Sequence, residues 1–236
     1  MNPSRTQHVA DLYTLLDRLS DKVGGPRMLG TCDSRSGWPK RGVYFFFENG
    51  ELRTNSGKLR VVRVGTHAVS VGSRSTLWNR LATHRGSRSG GGSHRASIFR
   101  QHIGAAMIAR DDITDLVHWG IGSSASKEIR TTEHEHECCV SATIRQMPFL
   151  WMEVDDEPSK SSLRDFIEQN TIALLSGADG QSPADAPSPG WLGHHSKSPK
   201  IRASGLWNIE HVGSPKRPVT YDSELLSVLE DLIRAM

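Results

Sequence analysis

Apolar positions recur at helical spacing near the start of the chain. Val9, Leu12, Leu16, Leu19 and Val23 form one stripe, and Gly24-Gly25-Pro26 stops it, which predicts a packing helix. The pattern then shifts to strand character. Gly42-Val43-Tyr44-Phe45-Phe46-Phe47-Glu48 is β-branched and aromatic, too short for a typical helix, and runs into Asn49-Gly50, a turn signal. Alternation puts Tyr44 and Phe46 on one face and Val43, Phe45 and Phe47 on the other. A second strand-like run from Leu59 to Val64 ends in Gly65, and its closeness to the first predicts an antiparallel pair.

Leu77, Arg80, Leu81 and His84 fall at i, i+3, i+4 and i+7 of a short helix that Ser73 or Ser75 can cap. The segment Arg85 to Arg95 holds glycines, serines and cations and no large apolar group, so it reads as an exposed, flexible loop before a helix from Ser97 to Ile108. A further helix spans Ala125 to Met147. Pro148 ends it, and Phe149 to Val154 reads as a third strand. Ser162 with Asp165 opens a capping-box helix that stops at Gly177. Residues 177–205 form a Pro/Ser/Gly-rich excursion, and a last helix from Asp222 carries Leu225, Val228, Leu229 and Leu232. Without a βαβ rhythm the class is α+β: an antiparallel sheet of about three strands flanked by helices.

Composition narrows the classes. The chain has 236 residues, 36% hydrophobic and 23% charged, with a formal net charge of +3. That charge permits a polyanionic partner without requiring one. No apolar run has membrane-span length, and charge interrupts the first apolar stripe where a signal peptide needs an unbroken core. Cys32, Cys138 and Cys139 do not make a disulfide framework, which points to a reducing, cytoplasmic setting.

Three ionisable groups sit awkwardly in this pattern. Arg80 and His84 lie on the inward stripe of their helix, so they need an anion, an open cleft, or room to snorkel to water. Glu168 lies on a helix that is apolar nearly all round, so its carboxylate calls for a salt bridge or a metal. Tyr44, mid-strand, is a plain aromatic unless cations stand beside its phenol. Glu133-His134-Glu135-His136-Glu137-Cys138-Cys139 invites a zinc reading. On a helix, however, His134 and His136 diverge by about 200°, so the run reads instead as a solvated acidic face.

Taken in order, Gly42-Val43-Tyr44, Arg63-Val64-Gly65, Arg80 with His84 four residues on, Glu168 and Asn208 resemble the GIY-YIG nuclease superfamily. The resemblance runs over about residues 40–210, within a nuclease-like domain at 27–212 flanked by helical additions at 1–26 and 213–236. It implies a compact sheet-and-helix module that hydrolyses phosphodiester bonds in nucleic acid, here DNA, with one divalent metal, Mg²⁺ or Mn²⁺. It also implies the roles: Tyr44 as the proton acceptor, His84 as its partner, Arg80 neutralising the phosphate, Glu168 holding the metal and Asn208 fixing the surroundings. One position departs from the pattern. Arg63 stands where the family's second motif begins with tyrosine. A guanidinium cannot act as a base, though it can bind phosphate. The same substrate is expected to be tracked by Arg85, Arg88 and Arg95 in the cationic loop. Two other readings stay open: a binding module that has lost cleavage, favoured by Arg63, and a protein–protein adaptor with a coincidental motif set.

Overall fold

The computed structural model describes residues 4–177, 182–213 and 219–236. Its sheet has four antiparallel strands in the order β1-β4-β2-β3. These are β1 (Arg27–Met28), β2 (Gly42–Leu52), β3 (Leu59–Gly65) and β4 (Pro148–Glu153). The helices are α1 (Arg5–Val23), α2 (Leu77–Arg85), α3 (Ile98–Arg110), α4 (Lys127–Arg145), α5 (Leu163–Ser176), α6 (Pro199–Ser204) and α7 (Glu224–Ala235). The α+β expectation holds. The fourth strand, two-residue β1, is too short for any periodicity to mark it.

Alternation along β2 decides the layering. Val43, Phe45 and Phe47 pack into a core with α1, α5 and α7. Tyr44 and Phe46 point the opposite way, into a second core with α2, α3, α4 and the turn at Leu192–His195. Helices therefore cover both faces of the sheet, and the site described below lies on the Tyr44 side.

Several boundaries moved for local reasons. Thr76, not Ser73 or Ser75, caps α2, accepting the Asn79 N–H. Asn49-Gly50 is not the hairpin turn. β2 continues to Leu52, because Glu51 turns inward to a buried ion pair with Arg60 at 2.5 Å, and the turn closes where Arg53 N–H donates to Lys58 O. In β3, Phe46 pairs with Arg63 but Phe47 pairs with Val61. The extra residue is a bulge that puts Val62 beside Arg63 on the Tyr44 side. Of the 177–205 excursion, residues 178–181 lie outside the described residues. Its remainder includes Trp191, Leu192 and Ile201, which are buried.

Two sequence expectations are corrected here. The Arg85–Arg95 segment is not a free arm. His94 is buried, donating its backbone N–H to Glu137 and sharing a 2.9 Å contact from Nδ1. Arg95 pairs with Glu133 at 2.5 Å, with its side chain 7% exposed. The glycines serve close approach rather than flexibility: a Cβ on Gly92 would stand 2.2 Å from the Arg100 guanidinium. The same contacts overturn the solvated reading of the acidic run. Glu133 and Glu137 are buried because they neutralise Arg95 and Arg100. Among the described residues no cluster of three or more His, Cys, Asp or Glu is placed to hold a metal.

Candidate active site

Tyr44 lies near the start of β2, opposite Gly65 of β3 and Trp151 of β4. Its ring lies flat across Gly65, so that a Cβ there would stand 2.3 Å from the phenol oxygen. Glycine is thus required by contact rather than by turn geometry. Gly65→Ala is expected to destabilise the fold by about 2 kcal/mol through overpacking, read as a lower urea midpoint. An unchanged midpoint would show that the ring has room to move.

Behind Tyr44 stands His84 of α2. Its Nε2 is 2.8 Å from the Tyr44 oxygen and its Nδ1 2.8 Å from Ser97 Oγ. Burial pushes the imidazole well below its ordinary pKa, and Arg80, Arg63 and Arg100 add to this, so the ring is neutral. The Arg63 guanidinium also faces the Tyr44 oxygen. A guanidinium only donates, so the phenol accepts from Arg63 and gives its own hydrogen to His84 Nε2. His84 then carries its proton on Nδ1 and donates it to Ser97 Oγ. That oxygen also accepts the Arg100 N–H as the cap of α3. The result is a one-directional chain from Arg63 through Tyr44 and His84 to Ser97.

Glu168 arrives from the other side of β3. One turn earlier on α5, Arg164 is fully buried and donates to the carbonyls of His67 and Ala68, which clamps the segment after β3 against the helix. That clamp brings the Glu168 carboxylate to the Thr66 backbone N–H, with Arg63 and Arg80 facing it. Burial pushes this carboxyl up to about 7. Arg63 lowers it, Asp165 raises it, and Arg80 lowers it again. It forms no ion pair among the described residues. Arg80 and Arg63 each keep a buried Nε with no partner. Two guanidiniums with a partnerless Nε beside a carboxylate without an ion pair leave hydrogen-bonding and charge capacity unused.

Arg80 and Glu168 are partly exposed, while Tyr44 and His84 have no exposed surface. The expected single solvent-reachable pocket is therefore two tiers, with an outer rim of Arg80 and Glu168 and a sealed inner pair. Arg63 lies between them, 4% exposed, donating from Nη1 to the Trp207 carbonyl at 2.7 Å and lying over the Phe99 ring. Asn208 is a clamp. Its amide accepts the Val64 N–H and donates to the Val64 carbonyl, continuing the edge of β3 with a side chain. Of the loop cations, Arg95 is spent on Glu133 and Arg85 donates to the Cys32 carbonyl, while Arg88 is exposed.

Sequence reading missed Ser97, Thr66 and His102. Ser97 was legible as a helix start but not as a histidine partner. Thr66 contributes only a backbone N–H. His102, one turn beyond Phe99, keeps a buried Nε2 without a partner, and burial with Arg63 nearby lowers its pKa to about 4. Nothing in the local pattern marks it.

The geometry gathers a carboxylate, two arginines and a tyrosine–histidine pair on an antiparallel sheet. A family model for the GIY-YIG domain matches residues 3–236, and the chain belongs to that family. GIY-YIG domains are generally nucleases, hydrolases acting on nucleic acid. No curated protein and no solved structure matches the chain. No helix among the described residues is long and apolar enough to cross a membrane.

Proposed function

We propose that this protein is a divalent-metal-dependent endonuclease acting on DNA, with Arg80, Glu168, Tyr44 and His84 as its catalytic group. The observation that carries the reading is the trio of Arg63, Arg80 and Glu168. Two guanidiniums with unpartnered, buried Nε atoms flank a carboxylate that has no ion pair. Such a trio is costly to hold unless a phosphate and a cation complete it.

The donor set fits Mg²⁺ or Mn²⁺ and not zinc. A hard cation of this kind takes one or two carboxylates and keeps several waters, whereas zinc needs a cluster of nitrogen and sulfur ligands. Glu168 would hold it, and bound there it would supply Lewis-acid polarisation of a phosphoryl oxygen. Arg80, at the rim, neutralises charge growing on the non-bridging oxygens. The Tyr44–His84–Ser97 chain gives the inner tier a proton acceptor: neutral His84 can take the phenol's hydrogen on Nε2, becoming imidazolium, while its Nδ1–H stays hydrogen-bonded to Ser97 Oγ. Because Tyr44 is sealed, the phenol meets the attacking water only when substrate binding opens the wall between the tiers. Asn208 holds the β3 edge in register.

A second reading is a nucleic-acid-binding module without cleavage. It rests on the resemblance, which puts Arg63 where the family's second motif begins with tyrosine, and on the inward hydrogen bond from Arg63 to the Trp207 carbonyl. Supercoiled plasmid with Mg²⁺, with Mn²⁺ and with EDTA separates the two readings. Metal-dependent nicking or linearisation supports the nuclease. No cutting by wild type, but cutting by Arg63→Tyr, supports the module.

A further inference from the structure

We infer that the face of α2 turned away from the site is a stacking platform for an unpaired DNA strand. This rests on the nuclease reading and adds its substrate class. α2 points Leu77, Arg80, Leu81 and His84 inward, while Trp78 and Arg85, seven residues apart, share a neighbouring face. A column of flat groups rises there from the core. Phe149 is fully buried, Trp38 stacks near it at 5.9 Å, and Trp78 stacks on Trp38 at 5.4 Å and 14°. The Arg85 guanidinium carbon is 5.0 Å from the Trp78 ring centre. Trp38 and Trp78 are only partly buried, so the column ends in an indole and a guanidinium, both planar surfaces on which a base stacks.

The charge around this column is mainly positive, with the Asp33 carboxylate near Arg85 and Arg88. Arg85 feels Arg145 and Arg88 as repelling neighbours, and Arg27 lies 4.3 Å over Trp151 and 5.4 Å over Trp38. None of these four arginines forms an ion pair among the described residues. Arg27, Arg85 and Arg145 are instead held by carbonyls, those of Ser36, of Cys32, and of Arg85 and Ser87. Carbonyls fix a guanidinium without cancelling its charge, whereas elsewhere the fold neutralises Arg60, Arg95 and Arg100 with glutamates. Aromatic planes set among positioned, uncancelled cations match the recognition chemistry of single strands: phosphates track the arginines and bases stack. A duplex keeps its bases inside and gains only the charge. The platform lies one helix width, about 10 Å, from Arg80, within reach of a strand whose phosphate occupies the site.

The test uses the full chain and a labelled 20-nucleotide DNA, single-stranded or annealed to its complement, titrated by fluorescence anisotropy in EDTA. Wild type is expected to bind the single strand more tightly than the duplex. Trp78→Leu should weaken single-strand binding about tenfold and duplex binding less than twofold. Trp78→Phe should keep most of the affinity. Arg85→Gln with Arg88→Gln should flatten the single-strand salt slope by about one and a half. Arg234→Gln, on the far helix α7, should change nothing. Equal affinity for both forms, no binding, or wild-type single-strand binding by Trp78→Leu overturns the platform. Cleavage is scored separately. Trp78-dependent binding by a protein that cuts nothing leaves the platform standing and removes the nuclease reading. Metal-dependent cutting with Trp78-independent binding does the reverse.

Discussion

Glu168→Ala is expected to lower Mg²⁺-dependent plasmid cleavage by at least about a thousandfold, roughly 4 kcal/mol of barrier, while DNA affinity in EDTA holds or rises. Both halves follow from the same environment. The carboxylate has no ion pair among the described residues and faces two arginines, which makes it an acidic oxygen donor available to a cation. Removing it also removes a negative charge beside Arg63 and Arg80, which leaves the rim more attractive to phosphate. Glu168→Asp should recover part of the rate, since the shorter side chain keeps the charge and moves it inward. Single-turnover cleavage across a metal titration measures the first effect and anisotropy the second. Glu168→Ala cutting at the wild-type rate would show that Glu168 does not hold the metal.

The layers were legible because they rest on alternation. Tyr44 and Phe46 against Val43, Phe45 and Phe47 is a period-two signal that backbone geometry enforces, and both cores follow from it. The ionisable residues on the α2 stripe were legible for the opposite reason. Arg80 and His84 break an apolar pattern, and the fold answers with a buried phenol for one and a carboxylate for the other. Non-local pairing was not legible. Glu133 and Glu137 look solvated in a row of charges until α3 and the glycine-rich loop bring Arg95 and Arg100 to them across more than thirty residues. Asn208 carried a motif but not its task, because a side chain that continues a strand edge is defined by β3 rather than by its own neighbours. The sealing of Tyr44 depends on Gly65, whose missing Cβ is visible in the sequence only as a strand end.

Metal-free stability should carry the signature of the same carboxyl. Glu168 is pushed up to about 7, mainly by burial, from an ordinary 4.5. A raised carboxyl favours the fold when protonated. Its contribution is fully present below about pH 4.5 and is lost as pH rises through about 7. Glu168→Gln keeps the shape and cannot ionise, so it should match wild type at pH 5 and exceed it at pH 8.5 by on the order of 2 kcal/mol. Three imidazoles act in the other direction. Burial lowers His67 and His102 to about 4 and takes His84 well below 6.5. Their contribution is fully present above pH 6.5 and is lost as pH falls below it, by about 2 kcal/mol at pH 5 for a group lowered to about 4, as His67 is. Wild type therefore sums opposing slopes in which the imidazoles outweigh the carboxyl, and it should gain stability with pH less steeply than Glu168→Gln. Glu168→Gln retains only the histidine slope and should gain stability steadily with pH. Urea midpoints in EDTA at pH 5, 6.5 and 8.5 read the difference directly. A gap between the two proteins that stays constant or narrows as pH rises would mean that water reaches the carboxylate freely, and that its surroundings do not desolvate it.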